Sequence, residues 1–116
     1  MLFSVTVFVR NDGVVPIFFG GCGPGALKEI DGVWTQVWVP LCGDNQRGTL
    51  APGDSLAMPI TIRAFIKPGI EPQLDPRMVP GTYRLRWGIS YAGDRNPAAS
   101  NQLEALDTPP FKVYQP

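Results

Sequence analysis

The stretch TYRLRWGISY, Thr82 to Tyr91, constrains this chain more than any other. Tyr83, Leu85, Trp87, Ile89 and Tyr91 fall on one side of a two-residue repeat, and Thr82, Arg84, Arg86, Gly88 and Ser90 on the other. Side chains of a β-strand alternate between faces, so this is a strand with one apolar face and one polar face. The same period recurs along the chain. Phe3, Val5, Val7 and Val9 oppose Ser4, Thr6 and Arg10; Leu56, Met58, Ile60, Ile62 and Ala64 oppose Thr61 and Arg63; Val15, Ile17 and Phe19 share a face. Shorter strands are read at Ala26–Ile30, Val33–Val39 and Phe111–Tyr114.

Seven candidate strands without a convincing helix predict an all-β fold, one antiparallel sandwich domain over residues 1–116. Ser100–Leu106 is read as about a turn and a half of helix inside a long loop. Glycine and proline number 13 each, which at a hydrophobic content of 44% means many turns rather than disorder. Pro16 has no N–H for a ladder, so its strand is expected at a sheet edge or at a bulge. Asp31-Gly32 marks a two-residue hairpin, because a type I′ turn needs positive φ at both positions.

Several function classes fall away. Histidine is absent, which removes Ser-His-Asp and Cys-His machinery and the commonest metal ligand together. Ten basic residues balance ten acidic ones with no like-charge tract, so no stripe suits nucleic-acid phosphates. No apolar run approaches the roughly 20 residues of a membrane helix. The apolar start lacks a basic n-region and a small-residue cleavage site, and its alternation is that of a strand. Gly20 and Gly25 have phosphate-loop spacing, but Ala26 and Leu27 stand where lysine and Ser/Thr are required. Two cysteines supply at most half a zinc shell. Asp44, Asp54, Glu71 and Asp75 sit beside Gly or Pro without calcium-loop spacing. No catalytic residue, cofactor or metal is expected.

Cys22 and Cys42 flank the hairpin. If Asp31 and Gly32 form the turn, Ile30 faces Val33, and counting outward sets Cys22 against Leu41, one position short of Cys42. A bulge in the glycine-rich arm closes that gap, and opposed residues lie within disulfide reach. The bridge would stabilise by about 3 kcal/mol in the chain-entropy model. A disulfide implies an oxidising compartment, so the chain is expected to be extracytoplasmic, a portion of an exported protein whose natural start is not Met1. The alternative is a cytosolic protein with two buried thiols.

The order of NDGVVPI (Asn11–Ile17), CG, DGVW (Asp31–Trp34), a second cysteine, LAPGDS (Leu50–Ser55), PGTYRL (Pro80–Leu85) and FKV (Phe111–Val113) resembles small immunoglobulin-like domains of bacterial secreted proteins and lipoproteins. It is more distantly similar to the bacterial intracellular proteinase inhibitors of the BsuPI type. The resemblance implies an Ig-like sandwich without catalytic residues. It also implies that Tyr83 packs in the core and ties its hydroxyl to nearby backbone, as in a tyrosine corner.

Two readings stand open for the aromatic residues Trp34 and Trp38: core or loop-covered positions, or an exposed pair that binds protein or glycan. Arg84 and Arg86 are read as a solvated outer face, or else as an anion or partner site. Trp87 is expected in the core. The long segments Lys67–Gly81 and Ala92–Pro110 are candidate binding loops. In the first, Ile70, Leu74 and Met78 are either anchors for a protein partner or plugs that close the end of the sandwich. The leading expectation is a non-enzymatic extracytoplasmic Ig-like structural or interaction module. A proteinase-inhibitor-like domain that acts through a long loop is the alternative.

Overall fold

The computed structural model describes residues 2–19, 23–40, 48–91 and 104–114. The described residues form antiparallel β-structure with no α-helix: β1 Leu2–Arg10, β2 Ile17–Phe19, β3 Gly25–Ile30, β4 Val33–Trp38, β5 Thr49–Leu50, β6 Ser55–Arg63, β7 Gly81–Tyr91, β8 Glu104–Asp107 and β9 Phe111–Val113. A 3₁₀ turn spans Pro76–Met78. β1 and β6 make one two-stranded sheet, and the other seven strands make a second.

β7 organises the larger sheet. Along one of its edges β2 pairs with Ile89–Tyr91 and β3 with Tyr83–Arg86. Along the other, β8 pairs with Arg86–Ile89 and β9 with Gly81–Tyr83. β4 lies outside β3, and β5 outside β2. The apolar face of β7 is the core: Tyr83 and Leu85 are inaccessible to solvent, and Trp87 and Ile89 nearly so. Phe3, Val7, Val9, Met58 and Ile60 of the small sheet pack on this core around buried Ile62. The Phe3 ring lies 5.7 Å from that of Tyr83.

Two expectations are corrected. Glu104–Asp107 is a strand rather than part of a helical turn, because β7 offers a free edge and one helical turn offers little to compete with it. β8 and β9 are in effect one strand interrupted at Thr108-Pro109-Pro110. The prolines cannot donate, and Thr108 bridges the gap: its N–H donates to Leu85 O (2.9 Å), and its Oγ1 accepts from Leu85 N (3.0 Å). β2 is not an edge strand. It is flanked by β5 and β7 and begins one residue after Pro16, where a missing N–H costs no ladder bond.

Asn11 ties the two sheets together where β1 ends. Its Nδ2 donates to Val15 O (2.9 Å) and Leu50 O (3.0 Å), and its Oδ1 accepts from Gly13 N (2.9 Å). Its backbone N–H donates to Asp54 O, and its carbonyl accepts from Gly53 N. A buried amide with every group satisfied fixes the Asn11–Gly13 turn and the Pro52-Gly53 turn at once.

Candidate functional site

The β3–β4 hairpin turns as its sequence requires. Asp31 and Gly32 have φ of 51° and 78°, and Ile30 pairs with Val33. Farther out the register shifts. Leu27 pairs with Gln36 but Ala26 with Trp38, so Val37 is an extra residue on β4. The bulge therefore lies on β4 rather than in the glycine-rich arm. Cys22 and Cys42 themselves lie outside the described residues.

This bulge separates the two tryptophans, which a regular strand would place on one face. Trp38 turns inward and packs against the core. Trp34 stays on the outer face, beneath the Arg84 guanidinium at 4.4 Å from the ring centre. They form no exposed aromatic pair, and both are half-buried. Arg84 is not a freely solvated residue either: it stacks on Trp34 and reaches Asp107 at 3.5 Å. Arg86 forks the same carboxylate at 2.7 and 2.8 Å. Hydrogen bonds from Arg86 hold the Asp107 carboxyl below its ordinary range, with smaller help from the charges of Arg86 and Arg84.

The segment from Lys67 to Gly81 is braced from inside and along its length. Leu74 and Val79 are buried plugs. Lys67 N donates to Gln73 Oε1 (2.8 Å), and Asp75 caps the 3₁₀ turn through Arg77 N (2.9 Å) while pairing with the Arg77 side chain. From beneath, Lys28 Nζ donates to Met78 O, and the Tyr83 hydroxyl donates to Val79 O at 2.5 Å. Lys28 is almost fully buried, with its ammonium 5.9 Å from the Tyr83 ring centre. A Cβ at Gly81 would stand 2.6 Å from Lys28 Cε, so glycine there makes room for the lysine stem. Of the three candidate anchors, Leu74 is core, Ile70 is half-buried and Met78 is exposed.

Ile70 faces the end of β4. With Trp38, Val39, Phe65 and Pro72 it walls an apolar cleft of about 220 Å³, and Arg63, Glu71 and Gln73 complete its lining. Glu71, Pro72 and Gln73 also border a more open groove of about 480 Å³ over Gln36 and Val37. The cleft is smaller than typical drug-sized sites and suits one large apolar side chain or a small ring. Its lining offers one carboxylate and one guanidinium, with no nucleophile paired to a base. Among the described residues no three Asp, Glu, Cys or His side chains cluster, and no helix is long and apolar enough to cross a membrane.

Sequence reasoning selected the Lys67–Gly81 segment and Trp38 but did not bring them together, and it passed over Lys28 and Asn11. Lys28 had a signal: the two-residue period sets it in line with Ala26, on the buried face. No protein family, characterised protein or solved structure matches this chain.

Proposed function

We propose that this chain is a non-enzymatic, Ig-like interaction domain that works outside the cytoplasm and grips a segment of another protein. The observation that carries this reading is the apolar cleft between the end of β4 and Ile70–Gln73, built on a loop held by Lys28, Gln73, Asp75 and Tyr83. A braced wall loses little entropy when a ligand docks, and an apolar recess with a polar rim is how interfaces seat their anchor residues. The extracytoplasmic part rests on the two cysteines flanking the hairpin.

Selection of binders from a random-peptide library tests the site. Peptides retained by the protein should share a large apolar residue and bind at least tenfold more weakly to Ile70→Arg. Peptides that bind both proteins equally would place the binding surface elsewhere.

The bracing also favours a second reading, a proteinase-inhibitor-like domain that presents Lys67–Gly81 with Met78 exposed at its 3₁₀ turn. Assay against a panel of proteases separates the two. An inhibitor lowers protease turnover while this loop stays uncut; a peptide-binding module leaves turnover unchanged.

A further inference from the structure

We propose that β1 is a self-association strand: two copies of this chain pair antiparallel through it, around a two-fold axis at Thr6. This surface is separate from the cleft and does not depend on it. β1 pairs with β6 alone among the described residues, and none of their other strands lies along its second edge.

The direction of its free backbone groups follows from the register. Asn11, one residue past β1, sends its N–H to Asp54 O on the β6 side. Successive residues of a strand point their N–H and C=O to opposite sides, so the odd-numbered residues face β6 and the even-numbered ones face outward. Thr6 is opposite Pro59, which has no N–H to exchange, and that agrees. So does Ser4 opposite Thr61, with side-chain oxygens 3.1 Å apart, since the pairs without backbone exchange bring side chains closer. The open edge therefore presents the N–H and C=O of Leu2, Ser4, Thr6, Phe8 and Arg10.

A second β1 centred on Thr6 matches this edge on every count. Even residues meet even residues, giving about ten backbone hydrogen bonds with none left over. On the inner face Phe3 meets Val9 and Val5 meets Val7; all four are half-buried in the single chain and gain apolar neighbours. On the outer face Thr6 meets Thr6 and Phe8 meets Ser4, which adds cover to Phe8, 79% exposed in the single chain. Arg10 meets Leu2, so no like charges oppose, and a formal net charge of zero leaves no global repulsion.

The other edges are guarded as edges usually are. β6 carries Pro59 with its nitrogen outward, β4 is bulged at Val37, β8–β9 is broken at Pro109-Pro110, and β5 has two residues. β1 has nine residues, no proline, no glycine and no charge before Arg10.

Sedimentation equilibrium across a wide concentration range reads the outcome. The wild-type chain should reach twice its monomer mass. Thr6→Lys sets two ammonium groups against each other at the axis and should return the monomer mass with the fold intact by circular dichroism. Independently, Thr6→Cys should give a disulfide-linked dimer on mild oxidation, with peptide mapping placing the link between the two copies' introduced thiols, because paired Cα atoms fall within disulfide range. Ser4→Cys, whose position meets Phe8, should not crosslink. A wild-type chain that stays monomeric throughout, as it would if a different strand covered this edge, overturns the proposal. So does a dimer that persists in Thr6→Lys, or equal crosslinking by both cysteine variants.

Discussion

Lys28 and Tyr83 are cross-strand partners on β3 and β7, and their side chains reach up to two consecutive carbonyls, those of Met78 and Val79. One pair of buried polar tips thus anchors the loop that walls the cleft. Each tip gives one of these carbonyls a hydrogen-bond partner. The lysine stem passes over Gly81, the first residue of β7, where a side chain would collide with it.

The Tyr83 hydroxyl makes stability fall in alkali. Burial pushes it up to about 12 from the ordinary 10.0. The folded protein holds this proton more tightly than the unfolded chain, so the contribution is complete below pH 10 and lost as pH rises toward 12. The loss should amount to roughly 2–3 kcal/mol. Urea unfolding of wild type and Tyr83→Phe from about pH 9 to about pH 12 isolates it. The mutant should lose about 1–2 kcal/mol at neutral pH from the unpaired Val79 carbonyl and show the flatter alkaline slope.

The bulge at Val37 sets the two tryptophans apart energetically. Trp38→Ala opens a cavity beside the core and should cost about 3–4 kcal/mol. Trp34→Ala removes a surface stack with Arg84 and should cost only about 1 kcal/mol. Arg84→Ala should lose a similar amount, more than a solvated arginine would. Equal losses for the two tryptophans on denaturant unfolding would contradict the inward turn of Trp38.

Thr108→Val keeps the shape of the β8–β9 junction but leaves Leu85 N–H without its side-chain acceptor. A partly buried N–H left unpaired costs about 1–3 kcal/mol, and Thr108→Ser should restore most of it. Amide exchange at Leu85 should quicken in Thr108→Val, while exchange at Tyr83 stays slow.

Cys22 and Cys42 are expected to be bridged. With Ala26 paired to Trp38 the partners' numbers sum to 64, and 22 and 42 have the same sum. Intact mass with and without reductant should differ by two hydrogens, and both thiols should resist alkylation until reduced. Ready alkylation of both in the folded, unreduced protein would also remove the ground for an extracytoplasmic setting.

The strands with strong alternation were legible because alternation is local. In TYRLRWGISY a residue's face depends only on its neighbour two positions away, and the Asp31-Gly32 turn depends on two φ angles that those residues adopt readily. Trp87 in the core and the long, well-patterned strands follow from such short-range rules. What needed the tertiary structure was whatever depends on a partner distant in sequence. Glu104–Asp107 becomes a strand because β7 leaves an edge beside it, and two-residue β5 exists only through its pairing with β2. Trp38 faces inward because one extra residue enters β4, a shift that nothing in the local sequence VWTQVWV marks. Lys28 is buried because Met78 O and the Tyr83 ring lie above it, and these come from about fifty residues away. Backbone preference is settled by each residue and its nearest neighbours, whereas burial of a polar group is settled by whether the rest of the chain brings it a partner.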